Sequence, residues 1–314
     1  MRAAAVVVNH NGGPDLGLCL AALVAQTITV DVVLVDCAST DGTRSLAETP
    51  PPGVRGIPLA ENRGYAGGCA AGLAALAADV EAVGFFNPDC FAAPDLFARC
   101  TAVFAGNSGI GGIAPRLLRV DGERLDSCGQ MLTGVLLRVC DRGYGERAAG
   151  RFLAAERVLA ACGAGMVYRR SALAAAAVAG AVFPEEFFAF SEDLDLGWRV
   201  SNAGWSVRYE PTAIAVHRRG ATAAPGRGPL TLRRTPRLAA CILANRWATL
   251  LRNLHAVDFA MRLPVLLLAD VAMVSLVVLL RPRVLPALVH ELPRLRLAWR
   301  QRRTLERRRL AELP

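Results

Sequence analysis

The chain has 314 residues, of which 53% are hydrophobic and 20% are charged. This composition supplies enough apolar side chains for a buried core and excludes an intrinsically disordered protein. Nine scattered cysteines, with no CxxC pair, argue against both a disulfide framework and a zinc site. The six apolar residues that precede Asn9 are too few for the core of a signal peptide, so we expect a chain that starts in a reducing cytoplasm.

The positive charge is concentrated at the C-terminal end. All 36 basic residues are arginine, and ten of them lie in residues 281–314 together with only three acids, which gives this segment +7 of the formal net charge of +9. A basic tail suits an anionic membrane surface, nucleic acid or solubility alone. No interleaved aromatic residues and no reader motif accompany the arginines, so we expect no nucleic-acid partner.

Three largely apolar segments near the N-terminus predict buried parallel strands. They are Ala3–Val8, Val30–Asp36 and Val80–Phe86, and helical patterns at Leu16–Ala25 and Tyr65–Ala78 separate them. Each segment ends at a polar cluster, and the carboxyl ends of parallel strands are where α/β sheets bind ligands. The pattern therefore predicts an α/β domain whose ligand site lies along one edge of the sheet.

A dinucleotide-dependent oxidoreductase is the main competing interpretation of such a start. Its GxGxxG motif should follow the first strand, but Asn9-His10-Asn11-Gly12-Gly13-Pro14 stands there. Residues 106–160 are rich in glycine and arginine with weak periodicity and predict irregular strands. Cys162–Tyr168 predicts a turn that enters a strand, and a helix is expected from Ser171.

The composition changes from about Pro236 to leucine, alanine, valine and arginine. Leu263–Leu280 has no charge except Asp270, and at about 1.5 Å per residue its length is marginal for a bilayer. A single span would place the basic tail and the body on opposite sides of the membrane, against the positive-inside rule. We therefore expect helices that lie in or dip into the cytoplasmic leaflet, with a buried helix packed on the body as the alternative.

The stretch FFAFSEDLDLGWRV, residues 187–200, places three acids beside an apolar wall. One interpretation is an ordinary helix start, because Ser191 suits an N-cap and acids are favoured in a first turn. The other is a functional site, because carboxylates beside an apolar surface are partly desolvated, as a general base or a metal ligand requires.

Seven motifs follow one another along the chain and together suggest a family. Their combined order resembles the family 2 glycosyltransferases with the GT-A fold, and in particular the bacterial rhamnosyltransferase-like branch, over residues 3–217. The motifs are VVVNHN, VLVDCASTDGT, ENRGYAGGCAAGL, FFNPDC, GAGMVYRR, FFAFSEDLDLGWRV and GWSVRYEPTAIAVH. The resemblance implies a Rossmann-like, mostly parallel sheet in a catalytic domain at residues 1–235, followed by a helical, membrane-associated region at residues 236–314.

The resemblance also implies a donor site for a dTDP- or UDP-sugar. Asp36 would contact the pyrimidine base beside the backbone near Asn9 and Asn11, and Asp41 would hold the loop. Residues 39–42 also suit a plain turn, because they are the usual turn formers. The start of the second predicted helix, at residues 62–68, would approach the diphosphate. The residues in this donor group are Asn9, Asn11, Asp36, Asp41, Asn62, Arg63, Gly64 and Asn87.

Asn87-Pro88-Asp89 stands where the family has its DxD-type metal motif. Only Asp89 is a carboxylate, which departs from the full motif and leaves the choice between Mg²⁺ and Mn²⁺ open. His217, at the end of a strand-like segment, matches the position of a further metal ligand in many relatives. A lone histidine is also compatible with a structural role.

Asp193 is the general base that the resemblance implies, with Glu192 and Asp195 orienting the acceptor or Arg199. Trp198 completes the family's W-R pair or packs in the core. Leu243 replaces the glutamine of the QxxRW motif that processive relatives carry, so we expect one sugar to be added in each reaction.

The full prediction is an inverting, metal-assisted enzyme at the cytoplasmic face of the membrane. It would transfer a single sugar, with rhamnose as our choice, to a lipid-linked or cell-envelope glycan. The alternative is a catalytically inactive GT-A protein that serves as a membrane-bound assembly partner; Asp89, Asp193 and His217 all being present speaks against it.

Overall fold

The structure is a computed structural model that describes residues 1–219, 230–232, 234–302, 305, 307 and 309–314. Within those ranges a ten-stranded mixed sheet forms the centre, with the path β10-β12-β6-β11-β4-β1-β2-β3 and with β5 and β7 at its side. A two-stranded sheet, β8-β9, stands apart from it. The strands are β1 Ala3–Asn9, β2 Val30–Asp36, β3 Val54–Pro58, β4 Ala82–Phe86, β5 Cys90–Ala92, β6 Ile110–Arg119, β7 Leu125–Ser127, β8 Gln130–Thr133, β9 Arg138–Asp141, β10 Glu156–Val158, β11 Gly165–Arg169 and β12 Ser206–His217.

Helices cover both faces of the sheet and form the C-terminal region. They are α1 Asp15–Val24, α2 Ser45–Glu48, α3 Gly64–Ala75, α4 Leu96–Gly106, α5 Arg170–Ala175, α6 Glu192–Asn202, α7 Pro236–Asn253, α8 Ala256–Leu280 and α9 Val284–Gln301.

The N-terminal half of the sheet is parallel, as the sequence predicts. Strands β3, β2, β1 and β4 run in the same direction, and Asn9 pairs with Asp36 in the register of β1 and β2, so their polar ends lie side by side. All seven residues of β1 are buried because α1 covers one face and α3 the other. The close approach of α3 requires glycine: a Cβ on Gly72 would lie 2.2 Å from Val6.

The second half of the sheet comes largely from the region where the sequence pattern is weak. Strand β11 runs antiparallel to β4 and β6, and β12 runs parallel to β6. Residues 106–160 contribute the ten-residue strand β6 as well as short irregular strands. The long strand β12 ends at His217, which places this histidine beside β5 at the same edge as the polar loops.

Helices α7 and α9 pack against the sheet and its flanking helices in residues 1–219, which we call the body, and against each other. Ala248 of α7 and Ala298 of α9 belong to the same buried cluster as Val6 and Phe85 of the sheet. Residues on both sides of the predicted division at residue 235 therefore share one buried cluster, which removal of residues 236–314 would partly expose. Residues 284–301 of the basic tail form α9, whereas residues 303, 304, 306 and 308 lie outside the described part of the chain.

Helix α8 is long and apolar and remains largely exposed. It is the one helix in the described ranges that is long and apolar enough to cross a membrane, and only 11% of its apolar window is buried. Leu266 and Val277 face the body, and Asp270 forms an ion pair with Arg246 of α7. The alternative of a helix buried in the body is therefore wrong for α8.

Candidate active site

The loops that follow β1 and β2 are joined by a buried hydrogen-bond network. Asn9 donates through Nδ2 to Asp36 at 2.7 Å, to Ser39 at 3.0 Å and to Thr43 at 2.8 Å. Asp36 also accepts from the amide and the hydroxyl of Ser39 at 2.9 and 2.5 Å. Both Asn9 and Asp36 are fully buried. Their side chains hold the two loops in a fixed relative position. Because both side chains are fully buried, they would shape a donor pocket rather than line its surface.

The more exposed members of these loops form the rim of the same edge. Asn11, with a positive φ of 57°, accepts the amide of Thr40 through Oδ1 at 2.7 Å. Asp41 accepts the amide of Gly13 at 2.9 Å and the hydroxyl of Thr43 at 2.6 Å. Asn11 and Asp41 therefore close the loop pair at the surface, where a ligand has access to the backbone.

The start of α3 is already capped by the protein. Asn62 accepts the amide of Gly64 at 2.8 Å, and the amide of Ala66 donates to the carbonyl of Phe188 at 3.1 Å. Gly64 has a φ of 69°, and a Cβ there would lie 2.2 Å from the oxygen of Phe188. Arg63 forms an ion pair with Glu185. In this structure the first turn of α3 thus contacts the segment that leads into α6, and Arg63 is the charged group of this helix start.

Asp89 and His217 meet at the ends of the loop after β4 and of β12. The Nε2 atom of His217 lies 3.3 Å from Oδ1 of Asp89, and Nδ1 lies 2.8 Å from Oδ2 of Asp126. Burial alone would lower the pKa of His217, but hydrogen bonds and charge from Asp126 and Asp89 outweigh it and raise this pKa to about 9. The two residues that the motifs predict as metal ligands are therefore adjacent, and Asp126, which the motifs miss, holds the ring.

This pair fits a divalent cation as part of a larger ligand set. In a ligating histidine, the ring nitrogen that does not bind the metal usually contacts a carboxylate, which orients the ring. Asp126 occupies this position on Nδ1 of His217. Within the described ranges, however, no group of three or more His, Cys, Asp and Glu residues is arranged to hold a metal ion. A cation bound by Asp89 and His217 would therefore need further oxygen ligands from a bound diphosphate and water.

Asp193 lies at the start of α6, with both carboxylate oxygens hydrogen-bonded. Oδ2 accepts the amide of Gly163 at 2.7 Å and Nε2 of Gln130 at 2.9 Å, and Oδ1 accepts the amide of Leu194 at 2.8 Å. Burial raises the pKa of Asp193 above its ordinary value, although these donors oppose the shift. Ser191 occupies the N-cap position, but it has a left-handed φ of 67° and its side chain makes no capping hydrogen bond.

Glu192 lies beside Asp193 in an apolar environment. Its Oε2 atom is buried and has no hydrogen-bond partner in the structure. Burial, followed by the neighbouring charge of Asp193, raises the pKa of Glu192 well above its ordinary value. Two adjacent carboxyl groups therefore differ in their environments, and Asp193 is the one whose anion the protein stabilises with hydrogen bonds.

Asp195 and Arg199 lie inside the protein rather than at its surface. Asp195 accepts Nε of Arg199 and Nη1 of Arg252, both at 2.8 Å, and all three side chains are fully buried. Trp198 is also fully buried. These residues join α6 to α7. The interpretation that Asp195 orients Arg199 agrees with the geometry, and both side chains are fully buried beneath the surface that an acceptor would contact.

The residues that lead into β11 anchor both the predicted base and the predicted metal motif. The amide of Gly163 donates to Asp193, and the carbonyl of the next residue, Ala164, accepts the amide of Asn87 at 3.0 Å. The Asn87-Pro88-Asp89 turn and Asp193 are thus anchored on adjacent residues of the strand entry at β11. The small residues of the GAG motif permit this close approach.

Several residues of the site escaped prediction from the sequence. Arg219 lies 3.4 Å from Asp126 and 2.5 Å from Asp141, and it stacks on Tyr144. Asp141 is buried, which raises its pKa despite the charge of Arg219. Gln130, Asp126 and Asp141 come from the weakly patterned region, and no local spacing marks them.

Comparison with solved structures identifies the class. PcManGT, a mannosyltransferase from Pyrobaculum calidifontis solved with GDP-Man and Mn²⁺, matches with a TM-score of 0.51 and 18% identity over 93% of this chain and 74% of that one. GalNAc-T7, solved with UDP, GalNAc and Mn²⁺, matches with a TM-score of 0.58 and 12% identity over 82% of this chain and 48% of that one, so this chain spans about half of its length. The fold is therefore the GT-A fold of glycosyltransferases.

Sequence comparison gives the family. The model described as glycosyltransferase like family 2 matches residues 2–237. A curated relative from Mycobacterium tuberculosis, an N-acetylglucosaminyl-diphospho-decaprenol L-rhamnosyltransferase, is 32% identical over 234 residues, which are 68% of this chain and 74% of the relative. The chain belongs to glycosyltransferase family 2 and is a glycosyltransferase, which confirms the resemblance seen in the motifs.

Proposed function

We propose that the protein transfers a single sugar with inversion, from a nucleotide diphosphate sugar to a lipid-linked or cell-envelope glycan, with Asp193 as the general base. The observation that carries this proposal is the attachment of Asp193 and the Asn87-Pro88-Asp89 turn to adjacent residues, Gly163 and Ala164. A base for the acceptor and a group suited to the leaving diphosphate are thereby fixed relative to each other, as a displacement reaction requires.

The reaction follows from these positions. The carboxylate of Asp193 accepts the proton of an acceptor hydroxyl, the hydroxyl oxygen forms a bond to the anomeric carbon, and the bond from that carbon to the diphosphate oxygen breaks with its electron pair on the diphosphate. One displacement inverts the anomeric configuration. A divalent cation, when bound, neutralises charge on the diphosphate. Asp89 and His217 are the residues that would hold it, and Mn²⁺ in both solved GT-A neighbours supports a divalent ion without selecting Mn²⁺ over Mg²⁺.

The donor and acceptor are proposed by likeness. The curated relative is named for rhamnosyl transfer to a diphospho-decaprenol-linked N-acetylglucosamine. We therefore propose rhamnose from a dTDP donor, with a UDP-sugar as the alternative, and a polyprenyl-linked acceptor. Leu243 in place of the processive glutamine supports addition of one sugar.

The exposed apolar face of α8 supports a place at the cytoplasmic face of the membrane. A lipid-linked acceptor presents its sugar at the membrane surface, and an interfacial helix would keep the enzyme there. The predicted donor sugar is cytoplasmic, so the body would lie on that side.

The test is a donor screen with purified full-length protein and a polyprenyl diphosphate-linked acceptor, read by nucleotide release and by mass of the product. Asp193→Asn should reduce transfer by about 10²- to 10⁴-fold while nucleotide binding is retained. Near-normal transfer by this variant would overturn the role of Asp193. A folded wild-type protein that transfers no sugar from dTDP-, UDP- or GDP-sugars would instead favour the inactive assembly partner.

A further inference from the structure

The segment that leads into Asp193 has a strained backbone. Phe188, Phe190 and Ser191 have φ values of 57°, 73° and 67°. Residues other than glycine adopt such values in close succession only where the surrounding structure imposes them, and such strain is concentrated at functional sites. We refer to residues 187–191 as the approach segment.

One side chain of α7 holds most of this segment. Nδ2 of Asn245 donates to the carbonyls of Phe187, Ala189 and Phe190 at 2.8, 2.9 and 2.7 Å. Asn245 is fully buried. Because an amide has two N–H groups, one of them is shared between two carbonyls, and the three acceptors converge on a single atom.

Asn245 is in turn fixed by α9. Arg294 donates to Oδ1 of Asn245 and forms an ion pair with Glu291 on its own helix. An arginine on Oδ1 leaves the amide in the orientation that directs Nδ2 at the carbonyls. A continuous path therefore runs from α9 through Arg294 and Asn245 to the approach segment.

The approach segment also contacts the donor side of the site. The carbonyl of Phe188 accepts the amide of Ala66, and it lies where a Cβ on Gly64 would collide with it. Arg237 of α7 stacks on the ring of Phe188 at 4.1 Å. The segment thus lies between the first turn of α3 and Asp193, and Asn245 holds the carbonyls on either side of Phe188 rather than the one that meets α3.

We propose that Asn245 is a positioning residue for sugar transfer, which acts through the approach segment on Asp193, and that Arg294 fixes Asn245 for this role. The inference rests on the proposed role of Asp193 as the base. It assigns part of the active-site geometry to the C-terminal helices.

The first experiment measures Asn245→Ala in the full-length enzyme. A misplaced base should lower kcat about 10- to 100-fold, with little change in the affinity for free dTDP in the presence of Mn²⁺. Hydrogen exchange of peptides that cover residues 185–195 should accelerate. Leu23→Ala is the matched control, because Leu23 is fully buried in α1, in the cluster on the opposite face of the sheet from Phe187; it should lose stability without a change in exchange at residues 185–195. Wild-type kcat, or unchanged exchange, in Asn245→Ala would overturn the proposal.

The second experiment tests the role of Arg294 and guards against poor folding of Asn245→Ala. Arg294→Ala leaves Asn245 in place and should accelerate exchange in the same peptides and lower kcat in part, whereas Arg294→Lys should restore much of the loss. Because the two residues act in series, the double variant should be little worse than Asn245→Ala. Additive losses, or no effect of Arg294→Ala, would overturn the role of Arg294.

Hydrogen exchange separates this inference from the proposed function, because it measures the protection of residues 185–195 without requiring sugar transfer. An active Asp193→Asn enzyme would overturn the role of Asp193 as the base, and the exchange result would still test whether Asn245 holds the approach segment. An inactive Asp193→Asn enzyme together with a fully active Asn245→Ala enzyme would overturn the positioning role of Asn245 alone.

Discussion

The hydrogen bond from Gln130 to Asp193 makes a prediction about pH. Burial raises the pKa of Asp193, and Gln130 is one of the donors that oppose the rise. If Asp193 is the base, as proposed, transfer requires its carboxylate, so activity should fall as the pH falls through this pKa. Gln130→Met removes the donor at similar length, so the pKa should rise further and the acid limb of the kcat profile should move to higher pH.

The measurement is kcat against pH with both substrates saturating. At high pH the variant should approach the wild-type rate, because Asp193 is then ionised in both proteins. An acid limb that stays in place would show that the titrating group is not Asp193.

Asp126 is expected to act on metal affinity through His217. It holds Nδ1 of His217 at 2.8 Å, and removal of such a partner typically weakens metal binding about 10- to 100-fold. Asp126→Asn should therefore require more Mn²⁺ for half-maximal activity, while the maximal rate at saturating Mn²⁺ is largely retained. Chelation should suppress the wild-type enzyme. Full activity in excess EDTA with no bound ion would contradict the metal-assisted mechanism.

The site residues that could be predicted from sequence share one physical property. Asp36 and His217 are the last residues of β2 and β12, and Asp89 lies in the turn after β4, so the end of a strand fixes where each of them lies. Gln130 and Asn245 reach the site by contacts with residues 63 and 55 to 58 positions away in the chain. A local pattern contains no information about such contacts, so these residues require the fold.

At the scale of elements, a buried ion cluster joins α6 to α7. Asp195 binds Arg199 and Arg252 with all three side chains buried. Loss of one partner leaves buried charge uncompensated, which typically destabilises a protein by about 3–5 kcal/mol. Since Arg199 and Asn253 still contact Asp195, we expect Arg252→Met to lower the free energy of unfolding by about 3 kcal/mol, measured by urea denaturation.

The control is the exposed pair of Arg99 and Asp95 on α4. Arg99→Met should change the free energy of unfolding by less than about 0.5 kcal/mol. The pH dependence gives a second check. Burial by itself would raise the pKa of Asp195, but Arg252 and Arg199 lower it, so the stability it provides is present above the ordinary carboxyl range and is lost as the pH falls through the lowered pKa. The difference between Arg252→Met and the wild type should therefore shrink in acid.

The elements themselves were predictable where burial is complete on both faces. Val30–Asp36 is β2 with the same ends, and α1 and α3 fall within three residues of the predicted helices. β3 was missed because none of its residues is fully buried, and β6 was not delimited within residues 106–160 because glycine and arginine interrupt its apolar pattern. The sheet order also could not be predicted, since β11 and β12 join strands that are distant in sequence.

At the scale of the whole molecule, the apolar residues of α8 are divided between two faces. At 100° per residue, Leu266, Asp270 and Val277 share the face that meets the body, and Leu268 and Leu279 lie on the other. Leu268 and Leu279 are 76% and 80% exposed. An apolar face of this kind, with Arg262 and Arg281 at its ends, suits the boundary between headgroups and acyl chains.

The final prediction concerns this face. Insertion of a leucine contributes about 1.5–3 kcal/mol, so the pair Leu268→Glu and Leu279→Glu should weaken binding to anionic vesicles at least about a hundredfold, measured by co-sedimentation. High salt should weaken wild-type binding only in part, because the apolar contact is not screened. Leu18→Glu, at a position on α1 that is 58% exposed, is the control and should bind as the wild type does.

The double variant Leu268→Glu, Leu279→Glu also tests whether α8 is an interfacial helix or a structural part of the body. Since Leu268 and Leu279 do not contact the core, their replacement should leave the fold and the transfer to a water-soluble acceptor analogue intact, whereas Leu266→Glu should unfold the protein. Deletion of residues 236–314 should not yield a soluble catalytic domain, because Asn245 and Arg252 would be lost with α7. Unchanged vesicle binding by the double variant would place the membrane contact elsewhere. Cleavage of the C-terminus by a protease added on the side of the body would show a true span to be wrong.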